Sequence, residues 1–371
     1  MDKKIRIAGV LTLAAIWLAI AAFAWFSPAK EQSLSERRLL NQFPTATKES
    51  LLSGRFSSAF EKYANDQFPA RDTFRSMKAL TSRYGLYQLD NNNIYLEDGY
   101  LVKQEYPLNT EFVTAATKRF DALYNSFMKE SDCQVYCAII PDKNYYLANN
   151  SGHLTMDYET LFSTVQSQMP YATHVSLTNM LSCESYYRTD THWRQEQLLP
   201  VAQTLLTAMD MPAPQKEEFT AKEVTSTFYG VYHGQAALPI EGESLYLMGS
   251  DTLSQCRVSV HNGMKYQPLG YESVYDLEKL ESKEPYDVFL SGPQSILQIE
   301  NPHAGTDREL IIFRDSFGSS LAPLLVSDYK TVTLVDIRYL DSRMLGRFLD
   351  FHGQDVLFLY STLVLNSGTV K

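Results

Sequence analysis

The chain has 371 residues, a formal net charge of −10, and a composition of 44% hydrophobic and 20% charged residues. This length supports one large domain or two smaller ones, each with its own hydrophobic core, and the composition excludes wholesale disorder. The acidic balance argues against nucleic acid as the main partner, because phosphate binding needs clustered Lys and Arg side chains.

An apolar run without charged residues extends from Ile7 to Phe26, which is long enough to cross a hydrocarbon core of about 30 Å as a helix. Three basic residues precede this run and place the N-terminus in the cytoplasm, with everything after Ser27 outside. A cleaved signal peptide is the alternative, because residues 22–24 resemble a small-residue cleavage site. The length of the run favours an uncleaved single-pass anchor in the cell membrane, and either alternative makes the bulk of the chain extracytoplasmic.

The four cysteines are Cys133, Cys137, Cys183 and Cys256. Export would permit two disulfides, but Cys133 and Cys137 lie in the run 133–140, whose extended conformation of about 3.3 Å per residue would hold them too far apart to bridge each other. Buried free thiols are an equally good interpretation, because a chain of this size can stabilise itself without disulfides. The cysteine spacing matches no zinc motif.

Two amphipathic helices are predicted after a polar spacer that follows the apolar run. Apolar residues recur at helical spacing from Leu52 to Tyr63, and again from Phe74 to Tyr84. We predict that both apolar stripes pack into a core, with binding surface as the less common alternative, because helices usually gain stability by burying such a face.

From Asn91 onward, short strands alternate with helices, which predicts an α/β fold with a parallel sheet and right-handed crossovers. The predicted strands are 93–97, 100–104, 135–140, 310–313, 331–335 and 356–360, with a long helix at 111–129. The predicted domains are a cytoplasmic tip and transmembrane anchor at 1–27, a juxtamembrane spacer with helices at 28–90, and a catalytic domain at 91–371. A segment at about 217–301 differs in its sequence pattern from the alternating strands and helices around it. We expect it to be a β-containing insertion that shapes a substrate groove.

Polar residues follow three of the predicted strands, and the sequence Arg-Asp-Ser-Phe-Gly at 314–318 is the most informative of these. A serine between a buried strand and a helix start stands exposed on a tight turn, where Gly318 permits close backbone approach. The free N–H groups at the helix N-terminus are expected to hold an oxyanion. The simpler alternative is that Asp315 or Ser316 only caps the helix.

Asp190 and His192 lie two residues apart in a polar and aromatic segment, residues 186–193. In an extended or turn conformation this spacing puts both side chains on one side, so the carboxylate can bond one ring nitrogen and leave the other as a base. A surface turn or a pair of metal ligands would explain the pair equally well. The six other histidines show no metal-binding spacing, so no metal centre is predicted.

These motifs carry a resemblance to a known family. Asp-Thr-His-Trp at 190–193 and Asp-Ser-Phe-Gly at 315–318 resemble motifs of the SGNH-hydrolase-like branch that includes the bacterial alginate O-acetylation enzymes. The stretches 34–37, 51–54 and 66–72 are similar to the DHHW family of bacterial cell-surface proteins. The resemblance therefore covers most of the chain, and it implies an SGNH-like parallel sheet flanked by helices.

The resemblance also implies a catalytic triad of Ser316, His192 and Asp190. The chain order is permuted relative to ordinary SGNH hydrolases, as in the alginate-type enzymes, because here the Asp/His pair precedes the serine. Two residues depart from the family patterns: Arg314 stands where a Gly-Asp-Ser motif has glycine, and Thr191 replaces the first histidine of the DHHW signature. The first departure leaves the oxyanion pocket unassigned.

The implied reaction is acyl transfer through an acyl-serine, without a cofactor. A sugar hydroxyl as acceptor would make the protein an O-acetyltransferase for a cell-surface or secreted polysaccharide, and water would make it an acetylesterase. The resemblance favours transfer, with acetyl groups supplied by a multispanning O-acyltransferase partner in the membrane. A non-catalytic module that binds polysaccharide or assists assembly is the hypothesis from a different class.

Residues near the predicted triad are candidates for binding the sugar or supporting the triad. Lys143, Arg338 and Tyr339 follow neighbouring strands, Arg314 precedes the Asp-Ser motif, and Tyr186, like the residue after it, would offer a stacking face. The common alternatives are that charged side chains at strand ends are solvated and that paired tyrosines are packed.

Overall fold

The computed structural model describes residues 3–261, 263–269 and 273–370. Residues 1–2 of the predicted cytoplasmic tip, residues 262 and 270–272 of the predicted insertion, and residue 371 lie outside the described residues. The chain divides into two compact units, which are Met1–Asn92 with His233–Pro239 (unit 1) and Asn93–Tyr232 with Ile240–Lys371 (unit 2).

Unit 1 is mainly helical. Its helices and strands are α1 (Lys3–Phe26), β1 (Gln32–Ser33), β2 (Arg38–Leu39), α2 (Lys48–Leu52), α3 (Arg55–Asp66) and α4 (Arg71–Leu80), the last continued by a π-helical turn at Thr81–Gly85. From Lys4 to Phe26, α1 is long and apolar enough to cross a membrane, a property that a signal sequence shares.

The two predicted amphipathic helices of unit 1 have different surroundings. The first predicted stripe is divided between two helices: Leu52 ends α2 and is exposed, so the prediction is wrong there. On α3, Phe56, Phe60 and Tyr63 are partly buried and contact the ring of Phe43 at centroid distances of 5.3–6.4 Å. The stripe of α4 is exposed along its length. The prediction that both stripes are core is therefore wrong for α4, because helical periodicity shows that a helix has two faces but not which face packs inward.

Unit 2 contains the α/β fold. Its elements are β3 (Ile94–Glu97), β4 (Tyr100–Lys103), α5 (Thr110–Leu123), β5 (Gln134–Ile140), α6 (Lys143–Ser151), α7 (Tyr158–Gln168), β6 (Thr173–His174), α8 (Leu199–Ala208), β7 (Thr220–Phe228), α9 (Val231–Ala236, which ends in residues of unit 1), β8 (Glu243–Gly249), α10 (Asp251–Gln255), β9 (Arg257–His261), β10 (Tyr266–Pro268), β11 (Ile296–Glu300), β12 (Glu309–Arg314), α11 (Phe317–Leu325), β13 (Thr331–Val335), β14 (Asp355–Ser361) and α12 (Thr362–Ser367). The predicted helix at 111–129 is realised as α5 with a π-helical turn behind it.

Eight of these strands form one sheet in the order β10-β9-β11-β13-β12-β14-β5-β6. The strands from β13 to β6 are parallel, which confirms the predicted α/β class, whereas β9, β10 and β11 add an antiparallel extension. Helices cover both faces, with α8 and α11 in one hydrophobic core and α5 and α7 in the other. The strand β12 is central, so the residues that follow it lie beyond the carboxyl edge of a sheet buried on both faces.

The segment 217–301, predicted as a possible insertion, contributes to the main sheet. Its strands β9 and β11 pair with each other and β11 pairs with β13, while β7 and β8 form a separate hairpin. The sequence shows short strands here but not their partners, because strand pairing is set by contacts far along the chain.

Candidate functional site

The three side chains of the predicted triad form one hydrogen-bonded chain. The Nε2 atom of His192 lies 2.8 Å from the Oγ atom of Ser316, and its Nδ1 atom lies 2.6 Å from Oδ1 of Asp190. When Nδ1–H donates to the carboxylate, Nε2 is left as the acceptor for the serine hydroxyl. The arrangement has the order of a nucleophile, a base and a group that orients the base.

The carboxylate of Asp190 is fixed on both of its oxygens. Oδ1 also accepts the backbone N–H of His192 at 3.0 Å, and Oδ2 accepts the N–H of Val231 at 2.8 Å. Asp190 is buried, whereas the His192 ring keeps 13% of its surface exposed. A buried carboxylate with these donors holds the ring in one orientation, with Nε2 directed at the Ser316 hydroxyl.

Ser316 occupies the turn between β12 and α11, and Asp315 holds that turn in place. The buried Asp315 carboxylate accepts the N–H of Phe317 at 3.0 Å on one oxygen, and on the other it accepts the N–H and hydroxyl of Ser361 at 2.8 and 2.7 Å. Asp315 therefore caps α11 and ties it to the end of β14. Ser316 has helical dihedral angles and makes no side-chain cap, so its hydroxyl is free to pair with His192.

The first turn of α11 does not supply the free N–H groups that were predicted for an oxyanion. The N–H of Phe317 donates to the Asp315 side chain, that of Gly318 to the Asp315 carbonyl, and that of Ser319 to the Ser316 carbonyl. Gly318 has a different role from the predicted one: a Cβ atom at this position would lie 2.8 Å from the Cβ atom of Arg314. Glycine is needed here to admit the buried Arg314 side chain.

Two aromatic residues position the His192 ring and its segment. Tyr286 stacks on the ring of His192 at a centroid distance of 3.8 Å and an interplanar angle of 7°, and its hydroxyl donates to Ser320 at 2.7 Å. The indole N–H of the buried Trp193 donates to the Phe317 carbonyl and to Ser320. The Asp-x-His-Trp segment is thereby fastened to the helix that begins at the serine. Sequence reasoning did not find Tyr286, because it lies in the segment 217–301, whose role no local motif indicates.

Lys143 lies behind the Asp/His segment and is 2% exposed. Its Nζ atom donates to the carbonyls of Tyr187 and Arg188 at 2.9 and 3.4 Å, and it stands 5.0 Å from the ring centre of Tyr232. Burial lowers the pKa of this lysine to about 8, although Asp190 opposes the shift. Lys143 is thus placed to hold the backbone that carries the triad, and its burial keeps it from a sugar on the surface.

Replacement of Lys143 by Met should change how stability depends on pH. Between pH 8 and 10.5 the unfolded chain keeps a proton that the folded protein has lost, so the wild type should gain unfolding free energy relative to Lys143→Met as the pH rises. The expected relative gain is up to about 3 kcal/mol across that window. Urea unfolding of both proteins at several pH values measures it, and a constant difference would contradict a depressed lysine pKa.

The other predicted supporting residues are placed as follows. Arg314 is 1% exposed and donates to the Asp315 carbonyl at 3.3 Å, and Arg338 forms an ion pair with Asp336 at 2.6 Å. Tyr339 is exposed beyond β13, whereas Tyr186 is fully buried and donates to the Pro141 carbonyl. Of the two tyrosines, Tyr339 is the one with an exposed ring, and the predicted stacking role of Tyr186 is excluded by its burial. The tyrosine after it, predicted alike, is also fully buried.

A glycine from the segment 217–301 lies against the orienting carboxylate. A Cβ atom on Gly230 would stand 2.2 Å from the Cβ atom of Asp190, and the N–H of Gly230 donates to the Thr189 hydroxyl at 2.9 Å. The carboxylate of Glu243 accepts the same hydroxyl and the N–H of Thr189. The loop that carries Asp190 and His192 is therefore packed at Asp190 against the backbone of Gly230, with no room for a side chain there.

Gly230→Ala is expected to displace Asp190 and lower kcat for an acetyl ester about 100-fold, because misplacement by about 1 Å costs that much in a positioned site. Gly249→Ala is the matched control, since its Cβ atom would meet nothing closer than the Thr220 carbonyl oxygen at 3.8 Å. Steady-state hydrolysis of a chromogenic acetyl ester compares the two. Equal rates in the two variants would contradict the packing role of Gly230.

Metal and thiol chemistry are not indicated at this site. Within residues 3–261, 263–269 and 273–370, no group of three or more His, Cys, Asp or Glu side chains could hold a metal ion. All four cysteines lie in these ranges and are free thiols, so of the two interpretations left open, the structure agrees with free thiols.

Comparisons with known proteins agree with the fold. The model of the DHHW protein family matches residues 162–335, which contain both triad motifs, and confirms the predicted resemblance. A crystal structure of a DHHW family protein from Eubacterium siraeum has 16% sequence identity and a TM-score of 0.61 over 76% of this chain and 95% of that chain. The structure of Bacillus cereus PatB1 with a sulfonyl adduct has 16% identity and a TM-score of 0.60 over 75% and 96%.

The O-acetyltransferase domain of Pseudomonas putida AlgJ is less similar, with 12% identity and a TM-score of 0.41 over 74% of this chain and 92% of that chain. No curated protein matches the chain in sequence. At these identities, the structural matches to the DHHW family protein and PatB1 show a shared fold.

Proposed function

We propose that this chain is an extracytoplasmic serine O-acetyltransferase that acts on a cell-surface or secreted polysaccharide. The observation that carries the proposal is the continuous hydrogen-bonded chain from Ser316 through His192 to the buried Asp190. We further propose that residues 1–27 anchor the enzyme in the membrane, that 28–90 form the juxtamembrane part, and that 91–371 form the catalytic domain.

The first half of the proposed reaction loads the serine. Nε2 of His192 takes the hydroxyl proton of Ser316 as Oγ forms a bond to the acetyl carbonyl carbon, and Asp190 stabilises the imidazolium. The bond between the acetyl group and its donor then breaks. The leaving group takes the proton from His192, which leaves an acetyl ester on Ser316 and a neutral imidazole.

The second half delivers the acetyl group. A sugar hydroxyl gives its proton to Nε2 of His192 and attacks the acyl-serine, after which the bond to Oγ breaks and Ser316 regains the proton. Water in place of the sugar would make the protein an acetylesterase with the same residues. We propose transfer, with a multispanning O-acyltransferase as the source of acetyl groups, because the sequence motifs resemble those of the alginate O-acetylation enzymes.

Covalent labelling tests the nucleophile independently of any substrate. Phenylmethylsulfonyl fluoride should add one sulfonyl group to Ser316, as judged by the intact mass and by peptide mapping, and Ser316→Ala should not be labelled. PatB1, which shares the fold, has been crystallised with a sulfonyl adduct. Labelling elsewhere, or equal labelling of both proteins, would contradict an activated Ser316.

The acceptor is tested with an acetylated donor and an oligosaccharide. A gain of acetyl mass on the oligosaccharide supports transfer, whereas release of acetate without any acetylated oligosaccharide supports the esterase. Failure of both reactions and of the labelling would favour a non-catalytic module that binds polysaccharide.

A further inference from the structure

Helix α4 of unit 1 is packed with its polar side inward. Arg71 and Arg75 form ion pairs with the half-buried Glu36, and Arg75 also donates to the Gly234 carbonyl at 2.6 Å. On the same side of this helical segment, Ala79 and Ser82 are buried. Charged and small residues thus form the packed side of α4, which reverses the usual arrangement of an amphipathic helix.

The opposite side of this helix and its π-helical turn is apolar and open. Phe74, Met77, Leu80 and Tyr84, which we call the outward apolar face, expose 50%, 56%, 36% and 60% of their surface. Their spacing places them in one stripe. The next turn of the chain exposes three more large side chains, those of Leu86, Tyr87 and Leu89. Contiguous exposed apolar surface of this kind marks an interaction site.

The charge of residues 28–92, the stretch that contains this face, indicates what kind of partner would bind it. Residues 28–92 carry ten Lys and Arg against seven Asp and Glu, in a chain whose net charge is −10. Ion pairs join three of the acidic side chains in this stretch, at positions 36, 66 and 72, to Arg71, Arg38 and Arg75, so an excess of three basic residues remains. Lys78 is exposed on α4 itself. An apolar stripe on a helix with an exposed lysine, Lys78, in a stretch with more basic than acidic residues, is the pattern of a helix that lies on an anionic membrane surface.

The candidate membrane span belongs to the same unit and contacts its apolar side chains. The ring of Trp25, near the end of α1, meets Phe43 at a centroid distance of 6.1 Å, and Phe43 packs on α3. A groove of about 270 Å³ between α1 and α3 is lined almost entirely by apolar residues, from Trp17 to Trp25 on one side and Phe60 to Phe68 on the other. Phe68, which lines this groove, contacts Phe74 of the outward apolar face at a centroid distance of 5.4 Å, so the face is continuous with the surface that lipid would cover on α1.

We propose that the outward apolar face lies on the outer leaflet of a phospholipid bilayer with anionic headgroups, so that α4 is an interfacial helix beside the anchor. This goes beyond the proposed acetyl transfer and rests on the membrane anchor proposed with it. Lys78 at the edge of the face would remain at the headgroup level while Phe74, Met77 and Tyr84 enter the acyl boundary.

Fluorescence quenching in lipid vesicles tests this placement with the full-length chain. Met77→Cys and Tyr84→Cys are made as separate proteins, in a background in which Cys133 and Cys183 are serine. The introduced cysteine of each protein carries an environment-sensitive nitrobenzoxadiazole label. The vesicles contain phosphatidylcholine with phosphatidylglycerol, and a lipid with a nitroxide on the upper acyl chain is the quencher. Asp72→Cys, whose side chain on the same helix is 64% exposed, is the matched control.

Quenching at Met77 and Tyr84 at least threefold stronger than at Asp72, and weaker in vesicles of pure phosphatidylcholine, is the expected result. Equal quenching at all three positions would overturn the proposal and leave the face to a protein partner. Equal quenching in both kinds of vesicle would overturn the proposed preference for anionic headgroups. A label at Leu13→Cys in α1 separates the anchor from the face, because its quenching by deep nitroxides reports insertion alone. A circular dichroism spectrum and a thermal unfolding midpoint equal to those of the wild type confirm that each labelled protein is folded.

Discussion

Ser316→Ala should lower kcat for a chromogenic acetyl ester about 10⁶-fold, which is the scale of loss when the nucleophile of a serine triad is removed. The reason is geometric: the Oγ atom of Ser316 is the atom within 2.8 Å of the base, and Ala removes it without disturbing the helix. Ser316 makes no side-chain cap to α11, so the change should leave the unfolding free energy within about 0.5 kcal/mol of the wild type.

The matched control for this variant is Ser319→Ala, in the first turn of the same helix. Ser319 is buried and lies outside the hydrogen-bonded chain of the triad, so its replacement should retain most of the activity. A residual rate above about 1% in Ser316→Ala would place the nucleophile elsewhere, because a missing attacking atom cannot be compensated by its neighbours.

Asp190→Asn should lower kcat about 10⁴-fold with the fold intact, the loss known for this change in serine triads. Both carboxylate oxygens of Asp190 accept N–H donors, from His192 on one side and Val231 on the other. An amide has one oxygen and one NH₂ group, so one of these donors must face another donor. The ring then takes the wrong tautomer or turns away from Ser316.

Asp355→Asn provides the control for loss of a buried carboxylate as such. Asp355 is 2% exposed, accepts from Arg308 and Tyr329 at 2.5 Å each, and begins β14 at the opposite edge of the sheet. Its replacement should lower the unfolding free energy while kcat stays near the wild-type value. Equal losses of kcat in the two variants would show that Asp190 contributes to activity only by stabilising the fold. Thermal unfolding, measured on the same proteins as the kinetics, separates a loss of stability from a loss of kcat.

The elements that place Ser316 could be predicted from local patterns. The four central parallel strands lie within one residue of their predicted bounds at each end, because each is a short apolar run between turns. The spacing of Asp190 and His192 permits their pairing, but it fits a surface turn or a pair of metal ligands equally well, and the hydrogen bond between the two side chains decides among these alternatives. The sequence does not show whether Ser316 caps the helix or is a nucleophile, because the Asp315-Ser316 pair is compatible with both hypotheses. The distance from Ser316 to His192 favours the second.

The rest of the site depends on contacts that no local pattern encodes. Gly230, Glu243 and Tyr286 reach the triad from a segment whose strands pair with distant parts of the sheet. The direction of the α4 stripe is a similar case, because the sequence shows two faces and the tertiary contacts decide which of them packs. Burial of Lys143 could not be read either, since a lysine after a strand is usually solvated.

The proposed nucleophile and base, Ser316 and His192, come from segments 124 residues apart that are joined in space by Trp193 and by the hydrogen bond between the two side chains. Each segment enters the sheet edge along its own backbone path, so the reaction depends on where the segments meet and not on which comes first. A circularly permuted chain that presents the serine segment before the Asp/His segment would build the same site. Exchange of segment order between related proteins is therefore compatible with conservation of their chemistry.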